Sequence, residues 1–218
     1  MKITAALIVV AYFFLLRVGE YTPSTDKKRK KRTIPIRKKD VKLFRNGILL
    51  SSESNLSELL SADSGSINLE NQKNGNKNAT LSHYRTNDPD FDPVCSLAFL
   101  LHELRGRSPD TPIGNYLDET GLLRAISAKE IRTAIRIGAV ADNLEAHGYD
   151  LTRIGSHSLR AGGAVRLKIA GYDSDMIKKL GRWSSNTYLR YIQSQIAQLT
   201  FGVAANMARL LRFSNVAS

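Results

Sequence analysis

The sequence has few of the residues that build metal centres and covalent cross-links. Its 218 residues include a single cysteine, Cys95, and four histidines. One cysteine excludes an internal disulfide and a zinc site made of cysteine ligands, and the histidines lack the short spacing of a metal-binding motif. A glycine-rich nucleotide-binding loop is also missing. We therefore expect neither a metal nor another cofactor, and the cysteine content is typical of a reducing compartment.

Acidic residues are also scarce. The chain has 20 Asp and Glu against 32 Lys and Arg, which gives a formal net charge of +12. Such an excess favours a polyanionic partner such as DNA, RNA or an acidic membrane surface, although a basic protein without such a partner is the alternative. Part of the charge lies in the run Lys27 to Arg32, which we interpret as a loop. That loop contacts phosphates, directs nuclear import or is simply solvated.

The apolar stretch from Ile3 to Leu16 is too short to cross a bilayer, which needs about 20 residues. A signal-peptide cleavage site does not follow it, since Arg17 and Glu20 come next. We therefore expect no membrane anchor but a buried helix that carries Arg17 at its end. A secreted protein is the alternative.

The periodicity of the remaining sequence predicts a mostly α (α+β) fold, a helical bundle with a small antiparallel β-sheet at one edge. We expect a mobile loop over residues 51–65 and a connection rich in proline and glycine over 105–117. The predicted strands cover residues 33–36, 41–44, 48–50, 66–70 and 79–84. The predicted helices cover 93–104, 127–148, 158–170, 173–180, 184–192 and 195–211.

Several side chains together could grip and attack a phosphodiester. His157 and Arg160 are three residues apart, on one face of a helix start. Arginine offers paired donors and a permanent charge to phosphate oxygens, and Arg17 is a second candidate for this role. The Trp183 indole can only donate a hydrogen bond, whereas the Tyr191 hydroxyl is a possible nucleophile. Each of these residues taken alone also has a purely structural interpretation.

The order of these residues resembles a known family. The segments are Leu16-Arg17-Val18-Gly19-Glu20, His157-Ser158-Leu159-Arg160, and Gly181-Arg182-Trp183-Ser184-Ser185 followed by Leu189-Arg190-Tyr191-Ile192. They are similar to the catalytic domain of the tyrosine recombinases (phage integrase family). Their residues resemble most those of recombinases from eukaryotic Crypton and DIRS-like mobile elements. The resemblance extends from Ala5 to about Phe213. It implies one catalytic domain over residues 1–218, with the family's N-terminal core-binding domain absent.

The resemblance also implies an activity. The chain would be an enzyme of DNA integration and recombination that breaks and rejoins DNA through a covalent 3′-phosphotyrosyl intermediate, without a metal. The implied catalytic residues are Arg17, Lys73, His157, Arg160, Trp183 and Tyr191. Two alternatives of another kind stay open: an inactive DNA-binding module derived from a recombinase, and an enzyme like the type IB topoisomerases.

Two assignments within this set carry alternatives. In the family, a hairpin lysine gives a proton to the leaving oxygen, and Lys77 competes with Lys73 for that role. Tyr188 competes with Tyr191 because it lies three residues earlier on nearly the same helix face. Glu20 would orient Arg17 or His157.

The partners implied by the resemblance are double-stranded DNA and further copies of the chain. We expect a monomer without DNA and a homo-tetramer on synapsed DNA. An apolar stripe recurs at helical spacing in the C-terminal segment and either packs on its own domain or docks on a neighbour. Its members are Ile196, Leu199, Val203, Met207 and Leu210. The expected location is the nucleus in a eukaryote and otherwise the cytoplasm, at the nucleoid.

Overall fold

The computed structural model of the chain describes residues 3–23, 33–71, 77–86, 88 and 90–193. The basic run at 27–32, Lys73 and the predicted helix at 195–211 lie outside the described residues. The chain divides into two compact units, Met1–Gly163 and Ala164–Ser218. We describe each unit by itself.

The first unit combines helices with antiparallel strands. Its helices are α1 (Ile3–Phe13), α2 (Val18–Tyr21), α3 (Leu56–Leu60), α4 (Pro93–Glu103) and α5 (Ala128–Ala141). Its strands are β1 (Val41–Arg45), β2 (Ile48–Leu49), β3 (Ser64–Asn71), β4 (Lys77–Tyr84), β5 (Asn115–Leu117) and β6 (Leu123–Ala125). Helix α6 (Ser156–Ile169) begins in this unit and ends in the second.

The main sheet is four-stranded and antiparallel, with the order β2-β1-β3-β4. On the buried face of the sheet, Val41 of β1 lies opposite Ile67 of β3, and Ile67 lies opposite Leu81 of β4. Helices α1 and α4 pack against each other, and Leu7 and Leu97 are fully buried in the shared core. Helix α1 is apolar on almost every face, and its middle residues Ala6, Leu7 and Val9 to Ala11 are buried.

Asp92 joins the sheet to helix α4. One of its carboxylate oxygens accepts hydrogen bonds from the N–H groups of Val94 and Cys95, at 2.8 and 2.9 Å. The other accepts a hydrogen bond from Nε of Arg85, just after β4, at 2.8 Å. The helix therefore begins at Pro93, because the residue before it satisfies the first free N–H groups of the helix.

The second unit is helical over its described residues. It holds the end of α6, helix α7 (Ser174–Gly181), a 3₁₀ turn at Asn186–Tyr188 and helix α8 (Leu189–Gln193). Its core is small and is formed by Ala164, Val165, Ile177 and Tyr188, with Leu167, Trp183 and Tyr191 packed against it.

The α+β class with a small antiparallel sheet is confirmed. The strands expected at 66–70 and 79–84 lie within β3 and β4, and the helix expected at 158–170 corresponds to α6. Among the residues that the structure describes, no helix combines the length and the apolar character needed to span a bilayer.

Two predictions about the segment before β3 were wrong. Residues 33–36 do not form a strand, and only an isolated bridge joins Arg37 to Pro112 nearby. The loop expected over 51–65 contains α3 and the first residues of β3. Helix α3 forms because the Asn55 side chain accepts a hydrogen bond from the Glu58 N–H at 2.9 Å.

One prediction about the segment after α4 was also wrong, and a hairpin there was not predicted. The helix that opens at the Ser127 cap ends at Ala141 and not near residue 148, since Asn143 adopts a left-handed conformation with φ of 51°. The connection expected over 105–117 contains β5, which pairs with β6 in a hairpin. One Asp118 oxygen builds its turn by accepting hydrogen bonds from the N–H groups of Thr120 and Leu122, at 2.9 and 3.0 Å.

Candidate anion-binding site

The chain leaves helix α1 through a turn with an unusual backbone. Leu15 has φ of 49°, in the left-handed region that glycine normally occupies at a helix end. The Leu16 N–H donates to the Ala11 carbonyl at 2.9 Å, which closes the turn as in a Schellman motif. A leucine in this conformation costs about 1–2 kcal/mol, so the surrounding structure must hold it.

Gly163 on α6 allows this helix to pack on the turn. A Cβ atom at residue 163 would overlap Leu15 Cδ2 and would lie 3.0 Å from the Tyr12 carbonyl oxygen. The neighbouring Gly162 is different, because its Cβ would meet only the edge of the Tyr12 ring at 3.8 Å. The close approach of the two helices therefore depends on the absence of a side chain at residue 163.

Arg160 lies one helical turn before Gly163 and points at the same place. Its side chain is almost fully buried, and Nη1 donates a hydrogen bond to the Leu15 carbonyl. This bond fixes the position of the guanidinium. The contact joins two residues that are 145 positions apart in the sequence.

Arg17 begins helix α2 and is held by Glu20. The Arg17 backbone N–H donates to Glu20 Oε2 at 2.8 Å, and Nη1 donates to Oε1 at 3.2 Å. The Glu20 side chain is buried, whereas 28% of the Arg17 side chain is exposed. The pairing therefore leaves the Arg17 side chain partly exposed.

His157 lies beside both arginines. Partial burial and the positive charges of Arg160 and Arg17 lower the pKa of His157 below its ordinary value of 6.5. The imidazole is therefore neutral at physiological pH, and it can accept or donate a proton at one of its nitrogens. The structure thus brings together Arg17, His157 and Arg160, all three of which the sequence singled out.

Such a group is suited to a phosphate or similar anion. Two guanidinium groups supply positive charge and directional donors, and a neutral imidazole adds a further polar contact. The loop before His157 is also fixed, because Arg136 Nε donates to the Ile154 carbonyl at 3.0 Å and Nη2 to the Thr152 carbonyl at 2.7 Å. Because Arg136 belongs to α5 and both carbonyls lie just before α6, these hydrogen bonds connect the start of α6 to α5.

Three residues that support the site, Leu15, Arg136 and Gly163, are not among those predicted from the sequence. A pair of adjacent glycines inside a helical pattern, at Gly162 and Gly163, was the available signal for a close helix approach. The left-handed Leu15 had no signal, because leucine rarely takes that conformation.

Trp183 and the two tyrosines lie in the second unit. The Trp183 ring covers Gly181 so closely that a Cβ atom on residue 181 would overlap it. The Trp183 ring centroid lies 5.7 Å from that of Tyr188 and 6.1 Å from that of Tyr191. These three side chains therefore form one aromatic cluster.

The two tyrosines differ in exposure. Tyr188 is 1% exposed and belongs to the core of the unit, next to Val165 and Ile177. Tyr191 is half-buried and packs against the outside of that core. Of the two hydroxyl groups, the one at Tyr191 is on the more accessible residue.

The remaining candidates for chemistry are lysines. Lys73 lies outside the described residues, and Lys77 is the first residue of β4. Within the described part of the chain, no group of three or more His, Cys, Asp and Glu side chains is arranged to hold a metal ion.

Comparison with models of known protein families and with curated protein sequences finds no match to this chain.

The two adjacent glycines of α6 give a matched test of the helix packing. We expect Gly163→Ala to destabilise the protein by about 1–3 kcal/mol, because the new methyl group overlaps Leu15. Gly162→Ala should be neutral or stabilising by up to about 1 kcal/mol, since alanine suits a helix interior better than glycine does. Urea unfolding measures both free energies, and equal effects would contradict the proposed close approach.

A second prediction concerns His157. Arg17→Gln should raise the pKa of His157, because a positive charge that opposes protonation is removed. NMR titration of the imidazole resonances measures this pKa. Arg45→Gln on β1 is the control and should leave it unchanged, since Arg45 is not among the charges that act on His157. If the pKa of His157 is the same in Arg17→Gln as in the wild type, the charge of Arg17 does not act on His157 and the two side chains are not neighbours.

Proposed function

We propose that this chain cleaves and rejoins DNA as a tyrosine recombinase, with Arg17, His157 and Arg160 holding the phosphodiester that reacts. The observation that carries the proposal is the convergence of these three side chains from opposite ends of the first unit. The resemblance of their sequence motifs to those of recombinases gives the same three residues this role.

The proposed chemistry needs charge on the non-bridging phosphate oxygens to be stabilised. Negative charge grows there when a nucleophile attacks phosphorus, and arginines can meet it with fixed donors. Arg160 is buried and held by a backbone carbonyl, so it is oriented before DNA binds. Arg17 is oriented by Glu20. Preoriented donors of this kind lower the barrier without reorganising during the reaction.

The nucleophile in this proposal is Tyr191. Its oxygen forms a bond to phosphorus, the bond to the 5′ oxygen breaks, and the phosphotyrosine stays on the 3′ side of the DNA. The tyrosine proton passes to a base, for which neutral His157 is a candidate, and the leaving 5′ oxygen takes a proton from Lys73 or Lys77. The reversed steps rejoin the strand, so no ATP is consumed.

Two further features support a nucleic-acid partner and this choice of tyrosine. The net charge of +12 favours binding to a polyanion. Burial of Tyr188 in the core of its unit leaves Tyr191 as the tyrosine that DNA can reach without unfolding. Trp183, which packs against Tyr191, is proposed to donate its indole N–H to the phosphate, as the recombinase motif implies.

A nicked suicide DNA substrate tests the proposal directly. Wild-type protein should form a covalent adduct that survives denaturing electrophoresis, also in the presence of a chelator. Tyr191→Phe should abolish the adduct and keep DNA binding, because it removes the nucleophilic oxygen. Tyr188→Phe should retain the adduct, because the Tyr191 hydroxyl is still present.

Other outcomes select the alternatives. An adduct lost in Tyr188→Phe instead would move the nucleophile to Tyr188. DNA binding without any adduct in the wild type would favour an inactive DNA-binding module. An adduct without strand exchange between two duplexes would favour a topoisomerase of type IB.

The arginines give a second test of the same chemistry. Arg17→Gln should slow adduct formation on the order of 10²-fold, as when a transition-state donor is lost, with a smaller effect on DNA affinity. Single-turnover cleavage and a binding assay measure the two quantities separately. Arg45→Gln again is the control, and a full rate in Arg17→Gln would exclude Arg17 from the reaction.

A further inference from the structure

His83 on β4 contacts the same turn that presents the arginines. Its Nε2–H donates to the Phe13 carbonyl at 2.9 Å, in the last turn of α1. The ring also meets the edge of Phe14, with centroids 4.7 Å apart and planes at 89°. Carbonyls at a helix C-terminus lack a partner within the helix, so His83 supplies one.

The protonation state of His83 suits this contact. Burial lowers the pKa of His83 more than its hydrogen bond to Phe13 raises it. The ring is therefore neutral at physiological pH. A carbonyl oxygen can only accept, so the proton lies on Nε2, and the neutral tautomer is fixed by the bond.

The position of the contact along the chain gives it significance. His83 holds the carbonyl of Phe13, Arg160 holds the carbonyl of Leu15, and Arg17 follows after two more residues. Between these two anchored carbonyls the chain passes out of α1 and into the left-handed Leu15. A strained backbone persists only where its surroundings fix it, and His83 and Arg160 fix it from two different elements.

We propose that His83 is a positioning residue for the anion-binding site, which fixes the turn from Phe13 to Arg17 and thereby sets where Arg17 and Arg160 present their charges. A purely structural histidine would contribute stability alone. A positioning residue must in addition change the site when its hydrogen bond is removed. The catalytic consequence rests on the proposed function, whereas the effect on the arrangement of the site does not.

His157 reports on that arrangement without any DNA, because burial and the charges of Arg160 and Arg17 together lower its pKa. The test compares His83→Gln, whose amide N–H can replace the Nε2–H, with His83→Met, which fills similar space without a donor. NMR titration of His157 and thermal unfolding are measured for each. We expect the pKa of His157 to rise toward 6.5 in His83→Met and to stay at its wild-type value in His83→Gln.

His102 on α4 gives a matched control. It lies in the same unit, and its buried Nδ1 has no hydrogen-bond partner among the residues that the structure describes. His102→Met should change stability alone and leave the pKa of His157 as it is in the wild type. If His83→Met does not fold, His83→Asn replaces it, because the shorter amide does not reach the Phe13 carbonyl.

The outcomes are distinct. The proposal is overturned if His83→Met, or His83→Asn in its place, folds and leaves the pKa of His157 unchanged. It is also overturned if His102→Met raises the pKa of His157 by as much as His83→Met does. In the cleavage assay, His83→Met should form the covalent adduct about 10- to 100-fold more slowly than the wild type, as expected for a small displacement of reacting groups. His83→Gln should form it at close to the wild-type rate. If the wild type forms no covalent adduct, the proposed function fails, and the titration of His157 still decides the role of His83.

Discussion

The hydrogen bond from Arg160 to the Leu15 carbonyl is the contact on which the candidate site depends. It brings the start of α6 onto the end of α1 and buries a guanidinium beside a strained turn. Gly163 makes the approach possible, because any side chain there would overlap Leu15. The position of Arg160 thus depends on the Leu15 carbonyl, and a change in this turn would move both Arg160 and Arg17.

The charges of the site explain its chemical character. Burial of His157 and the charges of Arg160 and Arg17 oppose its protonation, so the histidine stays neutral where a free imidazole would begin to gain a proton. Glu20 balances part of the charge of Arg17 and fixes its direction. An anion with several oxygens would meet positive charge, oriented donors and a neutral imidazole. These are the features that phosphoryl chemistry at an enzyme site uses.

Much of the fold was predictable from local patterns. Period-two alternation located β3 and β4, and the Ser127–Glu130 capping box located the start of α5, because both signals depend on residues close in sequence. The predictions failed where one residue inside or next to a segment decided its structure. Asp118 built an unexpected hairpin turn, and Asn143 ended a helix whose sequence allowed it to continue.

The sequence by itself determined the candidate residues, since Arg17, His157, Arg160 and Tyr191 stand in segments whose order resembles that in a recombinase. The tertiary structure decided which of them meet, because Arg17 joins His157 and Arg160 although about 140 residues separate them. It also decided that Tyr188 is fully buried and Tyr191 only half-buried. It also decided the supporting contacts of Leu15, His83 and Gly163. Backbone carbonyls, close approaches and strained dihedrals arise only when distant segments pack, so no local pattern encodes them.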